Sequence, residues 1–292
     1  MSEGYVKRLL NAADTVNVLR EMPVRCNDLM KSRLTATSRT SPGGQVQNYE
    51  HVAAGDRVSY FDLRVDNFPS AHLNLVTEDA QTSTQFRSGV IFKTAKTLRP
   101  CFYLPYRLRG TTRMQLVSPP TYQGPEVRFF ATATIDGCSV YVEGPATGPK
   151  VTHGNAQNIA PAPAFGVVET DLQKAGRIQA KIVDMDARLA IIKKGPTTVV
   201  ERGDYIEDFL PGQTAARQQF ATARGIPLGR VLTYQPLGAV VGVKMGTDWS
   251  FYLQKNGGFD FKMTATSPTR TAYMVLSVHE FWPNNTGGFR VF

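Results

Sequence analysis

Between residues 57 and 153 the chain breaks into short runs separated by glycine and proline. RVSYFDLRV, GVIFKTA, RFFATATI, CSVYV and KVTH have the length and the β-branched and aromatic content of strands. Punctuation at that spacing leaves no room for long helices, so this part of the chain must be sheet. LPYRLRG and LVSPPTYQGP read as connections, because their prolines cannot donate to a central ladder. Nearer the C-terminus RVLTYQPLGAVVGVKM, WSFYLQ, FDFKMTAT and TAYMVLSVHEFW read as further strands, some without alternation and therefore buried on both faces.

Helices are few. Val6, Leu9, Leu10, Ala13, Val16 and Leu19 recur near helical spacing and predict one amphipathic helix over Tyr5 to Met22. TAARQQFATARG (214–225) predicts a short helix closed by Gly225. DLQKAGRIQAKIVDMDARLAII fits a helix, a strand or one followed by the other. TATSRTSPGGQVQN (35–48) reads as a polar loop and APAPAFG (160–166) as a linker. The expected fold class is α+β, a β-sandwich core flanked by helices, in a single domain over 1–292. Its parts are an N-terminal helix and loop (1–50), a β-rich part (51–160), and a mixed helical then β-rich part (161–292).

With 42% hydrophobic and 20% charged residues, the composition is that of a soluble globular protein. No apolar run approaches the roughly 18 residues that span a bilayer, and the N-terminus lacks the apolar core of a signal peptide. The net charge of +9 is spread without a basic block, so a well-mixed basic surface is favoured over an acidic partner, and no nucleic-acid motif stands out. Three scattered cysteines, Cys26, Cys101 and Cys138, make no disulfide framework. Without CxxC, HExxH or a phosphate-binding glycine loop, neither a metal nor a cofactor is expected.

One stretch carries chemistry. In GCSVYVEGPATGPKVTHGN (137–155), CSVYV and KVTH flank the turn EGPATGP. Centring that turn sets Cys138 opposite His153. Alternation then puts Cys138, Val140, Val151 and His153 on one face, with opposed Cβ atoms about 4.5–5.5 Å apart. An imidazole at that distance takes the thiol proton and makes the sulfur a nucleophile. Gly137, with no side chain, lets a substrate carbonyl approach the backbone, where a nearby N–H would bind an oxyanion. The competing reading is an ordinary hairpin with a buried thiol and a packed histidine. His51, His72 and His279 read as packed or exposed histidines, and Cys101 as a buried inert thiol. Cys26 has no histidine nearby in sequence. Asn155 reads either as a hydrogen-bonding group near the site or, more simply, as a turn residue, and Glu207 with Asp208 as adjacent carboxylates that do not converge.

FFATATIDGCSVYVEGPATGPKVTHGNA resembles the catalytic domain of cytotoxic necrotizing factor and Burkholderia lethal factor, bacterial toxins that deamidate glutamine in host proteins. Ile135-Asp136-Gly137-Cys138 occupies the place of that family's Leu-Ser-Gly-Cys motif, with Asp136 replacing serine. His153 follows Cys138 by fifteen residues (153 − 138), the spacing of the necrotizing-factor branch. The resemblance implies a β-sandwich with a Cys138–His153 dyad and a backbone carbonyl orienting the histidine, placed at Thr132 by the lethal-factor spacing. It implies a secreted virulence effector, made in the bacterial cytoplasm without a cleavable signal and delivered to a target-cell cytosol. A monomer is expected there to convert glutamine to glutamate on a protein substrate, a Rho-type GTPase or a translation-initiation helicase by family precedent. A Cys–His protease, an acyltransferase or transglutaminase, and a non-catalytic β-sandwich binding or structural protein remain open.

Overall fold

The computed structural model describes residues 2–11, 13–26, 34–66, 72–78, 99–155, 169–207 and 209–292. GVIFKTA and APAPAFG lie outside them. In chain order the strands are β1 (Val24–Cys26), β2 (Leu34–Thr40), β3 (Val46–Val52), β4 (Val58–Asp66), β5 (His72–Glu78), β6 (Arg99–Leu104), β7 (Thr111–Gln115) and β8 (Phe129–Thr132). After them come β9 (Ser139–Glu143), β10 (Lys150–Gly154), β11 (Thr197–Val200), β12 (Val231–Met245), β13 (Asp248–Phe261), β14 (Arg270–Trp282) and β15 (Arg290–Val291). The helices are α1 (Ser2–Leu9), α2 (Thr15–Glu21), α3 (Asp171–Ile192), α4 (Arg202–Tyr205) and α5 (Leu210–Arg224).

The strands form two sheets. Among the described residues an eight-stranded sheet runs β1-β5-β4-β6-β8-β12-β13-β14, and a seven-stranded sheet runs β15-β11-β9-β10-β7-β3-β2. Both draw strands from both halves of the chain, which makes one α+β sandwich, as expected. Phe102, Leu104 and Phe130 of the first sheet meet Val140, Val142 and Val151 of the second in the inner core. Each such buried side chain contributes roughly 1.5–3 kcal/mol. The alternate residues face outward. Phe129 and Ala131 pack with Leu9, Val18 and Leu19 of α1 and α2, while Tyr141 and Val199 lie under Met185 and Leu189 of α3. Phe220 of α5 stacks on Phe259, ring centroids 4.2 Å apart.

Several local readings change. The N-terminal segment is two helices, not one. Thr15 Oγ1 donates to the Leu9 and Asn11 carbonyls at 2.8 and 3.0 Å, satisfying groups that a continuous helix would have used. Residues 35–48 are not a loop but most of the β2–β3 hairpin. β2 is an edge strand and exposed along much of its length, so its threonines show no apolar face. The undecided 171–192 segment is one helix, started by a Thr170–Gln173 capping box. WSFYLQ and FDF belong to a single strand, β13, which ends at Phe261, so KMTAT is not strand as expected but the connection to β14. TTRMQ, unassigned in sequence, is β7. The 210–224 helix ends as expected, on Gly225 in the left-handed region at φ 63°.

The chain changes sheets between β8 and β9. Ile135 and Gly238 of β12 exchange backbone hydrogen bonds of 2.9 and 2.8 Å, fastening the crossover to the first sheet. Close approach requires glycine at 238: a Cβ there would stand 2.6 Å from Ile135 Cγ1 and 2.9 Å from Tyr205 Cδ2. Gly238→Ala is expected to lower unfolding free energy in denaturant titrations by about 1–3 kcal/mol. An unchanged midpoint would show that the crossover is not tightly packed.

Candidate active site

The residues between Ile135 and Ser139 place the thiol. Gly137 has φ 143°, which a side chain rarely adopts, and a Cβ there would meet Arg202 Nη1 at 3.0 Å. This bend sends Asp136 to solvent and Cys138 inward, so the carboxylate beside the nucleophile candidate points away from it. Tyr205 of α4 fixes the bend. Its hydroxyl accepts from the Gly137 N–H at 2.9 Å and donates to the Cys138 carbonyl at 2.7 Å. Burial holds the Tyr205 phenol well above its ordinary pKa, so it remains a donor. The Gly137 amide is thus engaged in this state, and its N–H is not offered to a substrate oxygen.

β9 and β10 pair two residues away from the register that a centred turn predicts. His153 faces Val140, and Ser139 faces Gly154. Carried one step further, this ladder sets Cys138 opposite Asn155. Asn155 Nδ2 donates to Cys138 Sγ at 3.3 Å. Its Oδ1 accepts from the Arg109 N–H at 3.1 Å and its own N–H donates to the Gly110 carbonyl at 2.9 Å. Asn155 is therefore tied to the connection between β6 and β7 and holds a donor on the sulfur, the site contact that is one of its two sequence readings.

A shift of two keeps the face. Val140, Val142 and Val151 all point into the inner core, as does Cys138, and His153 shares their parity. Cys138 and His153 are diagonal neighbours instead of opposed ones. Their Cβ atoms stand at most about 7–8 Å apart. No hydrogen bond joins imidazole to sulfur. Both ring nitrogens of His153 are buried without a hydrogen-bond partner, and the Tyr106 ring stands beside it at 6.0 Å between centroids. The Thr132 carbonyl therefore makes no bond to His153. Thr132 lies in β8 of the facing sheet, buried, with its Oγ1 on the Ala133 carbonyl at 2.7 Å.

Burial, not a neighbouring charge, sets the protonation of His153. The side chain is 1% exposed, and desolvation pushes its pKa down to about 3. The imidazole is neutral, with one donor and one acceptor. Leaving each unpaired costs about 1–3 kcal/mol. Cys138 is 2% exposed. Cavities of about 570 and 280 Å³ lie elsewhere, and neither is lined by Cys138, His153 or Asn155.

The other candidates do not join this group. Burial drives the Cys101 thiol far above its ordinary pKa, as expected of an inert cysteine. His279 Nε2 pairs with Ser277 Oγ at 3.0 Å, and His51 Nδ1 with Thr37 Oγ1 at 3.1 Å. The side chains of Cys26 and His72, and Asp208 altogether, lie outside the description. Tyr205 and Arg202 escaped the sequence reading because they lie more than sixty residues from Cys138 and match no motif. Among the described residues no three His, Cys, Asp or Glu side chains group as a metal site, and no helix is long and apolar enough to cross a membrane.

His153 ties stability to pH. The unfolded chain protonates this histidine as pH falls below its ordinary 6.5, whereas the folded imidazole stays neutral to about 3. The unfolded state then binds more protons, so stability present above 6.5 is lost as pH falls toward 3, by at most about 1.4 kcal/mol per pH unit. His153→Leu is expected to flatten this part of the stability–pH curve relative to the parent, measured by urea unfolding from pH 7 to 4. Parallel curves would mean that His153 titrates normally when folded.

No family model matches the chain, and no curated protein matches it. Among solved structures it is similar to the crystal structure of the C-terminal domain of CNFy from Yersinia pseudotuberculosis, at 11% identity and a TM-score of 0.35, over 96% of this chain and 97% of that one.

Proposed function

We propose that the chain is a protein-glutamine deamidase of the effector type, with Cys138 as nucleophile and His153 as its base and acid. The observation that carries this is a neutral, buried imidazole with both nitrogens unpartnered, on the same sheet face as a buried thiol. Unsatisfied buried groups are rare in folded proteins, and catalytic demand is one of the few reasons to keep them. The resemblance around Gly137-Cys138 and the fifteen-residue spacing to His153 point the same way.

On this reading His153 takes the Cys138 proton, and Sγ attacks the glutamine carboxamide carbon. The C–N bond breaks, ammonia leaves with the proton from His153, and a thioester remains. Water adds to the thioester, the C–S bond breaks, and the products are glutamate and the free thiol. A primary amine in place of water gives transglutamination. The Asn155 Nδ2 donor on the sulfur favours the thiolate. Gly137 leaves the bend without a side chain on the substrate's approach, and the Thr132 carbonyl is the acceptor for His153 once the site rearranges. Catalysis requires opening, since both reacting groups are buried. The connection over residues 105–110 is the element to move, because it carries Tyr106 and the partners of Asn155. The substrate is a protein in a target cell reached by secretion, with Rho-type GTPases and a translation-initiation helicase as precedents.

A second reading rests on Cys138 itself. It packs among Val140, Ile135 and Tyr205 in the inner core, as a small apolar residue would in a non-catalytic sandwich. Incubation with a target-cell lysate and mass mapping of Gln-to-Glu conversion separates the two. Conversion is expected with the parent and at least a thousandfold less with Cys138→Ser or His153→Ala, both still folded. Conversion that survives either substitution refutes the dyad, and none by the parent across cell types favours the second reading.

A further inference from the structure

A second group of polar side chains lies on the outer face of the seven-stranded sheet, away from the thiol. There β2, β3, β7 and β10 line a cavity of about 280 Å³ together with Arg57. Arg39, Arg57, Arg113 and Lys150 converge on it, accompanied by Tyr49 and His51, and no carboxylate is among its lining residues.

Glu143, the acid in contact with Arg113 and Lys150, is already committed. Glu143 accepts from Arg113 Nη2 and from the Lys194 N–H at 2.7 Å, and stands 4.0 Å from Lys150 Nζ. Arg113 is 5% exposed and donates its Nη1 to the Ile192 carbonyl, yet its Nε is buried without a partner. Arg57 Nε is buried and unpartnered as well. Arg39 Nε reaches Tyr49 Oη at a long 3.2 Å. Four cations against one carboxylate leave an excess of positive charge in a partly desolvated recess, which is costly unless an anion enters. The cost shows at Lys150, where burial and then the Arg113, Lys194 and Arg39 charges push its pKa down to about 8.

We propose that this recess binds a phosphate monoester dianion, with Arg39, Arg57, Arg113 and Lys150 as its cationic partners. Two charges on one small group match the excess, and the planar arginine donors suit phosphate oxygens. The recess opens on the opposite side of β7 and β10 from His153, so it is independent of the deamidase reading.

The test uses the full chain at fixed ionic strength, titrated with inorganic phosphate and with glycerol phosphate against chloride, by calorimetry and thermal unfolding. Saturable phosphate binding with a raised Tm is expected, with at least tenfold weaker binding in Arg39→Gln/Lys150→Gln. These exposed or half-buried positions are substituted instead of Arg113, whose ion pair supports the sheet. The double variant's melting in chloride serves as the folding control. Sedimentation with phosphatidylcholine vesicles, with and without phosphatidylinositol 4-phosphate, distinguishes the source. Pelleting that needs the phosphorylated lipid assigns the phosphate to a headgroup, and its absence alongside free-phosphate binding assigns a soluble ester. Phosphate no more stabilising than chloride, or a folded double variant that binds undiminished, overturns the site.

Discussion

The ladder that holds β10 between β9 and β7 fixes most of what can be said about this molecule. Val151 pairs with Val142 on one side and Met114 on the other, and all three enter the inner core. A slip of β10 by one residue would turn the buried Val151 outward and bring Lys150 and Thr152 inward, at a cost of a few kcal/mol. The same constraint compels His153 to point inward, although the inner face offers its nitrogens no partner.

The thiol reaches that face by a different route. Cys138 lies just before β9, on the segment where the chain leaves one sheet for the other. Its position depends on the Ile135–Gly238 bridge, the left-handed bend at Gly137 and the Tyr205 hydroxyl that joins both sides of the bend. Thiol and imidazole are therefore held by separate devices, a crossover clamp and a ladder. Asn155 links them, bonded to the sulfur and continuous with the strand of His153. Both groups are buried in this state, so on the proposed reading chemistry between them requires a local opening of the sandwich end.

The hairpin was legible in sequence because glycine and proline mark its turn, and the shared face was legible because alternation survives any even shift. The register itself was not. Glu143 reads as a turn residue by propensity, yet it extends β9 because Arg113 of β7 meets its carboxylate in a buried pair. That partner lies thirty residues upstream, beyond local pattern. Tyr205 was hidden for the same reason. The β2–β3 hairpin was missed because an exposed edge strand needs no apolar alternation. The cap at Gly225 shows the opposite case, where short-range chemistry decides the local structure.

On the proposed reading the Cys138 thiol and the His153 imidazole work as a pair once the site opens. The rate of alkylation of Cys138 by iodoacetamide in the folded protein, followed by peptide mass spectrometry against Cys101 as the buried reference, tests it most directly. Cys138 is expected to be modified well ahead of Cys101 at neutral pH, and His153→Ala to remove this advantage while the fold persists. Two cysteines equally silent until the protein unfolds, or a Cys138 rate indifferent to His153, would contradict it.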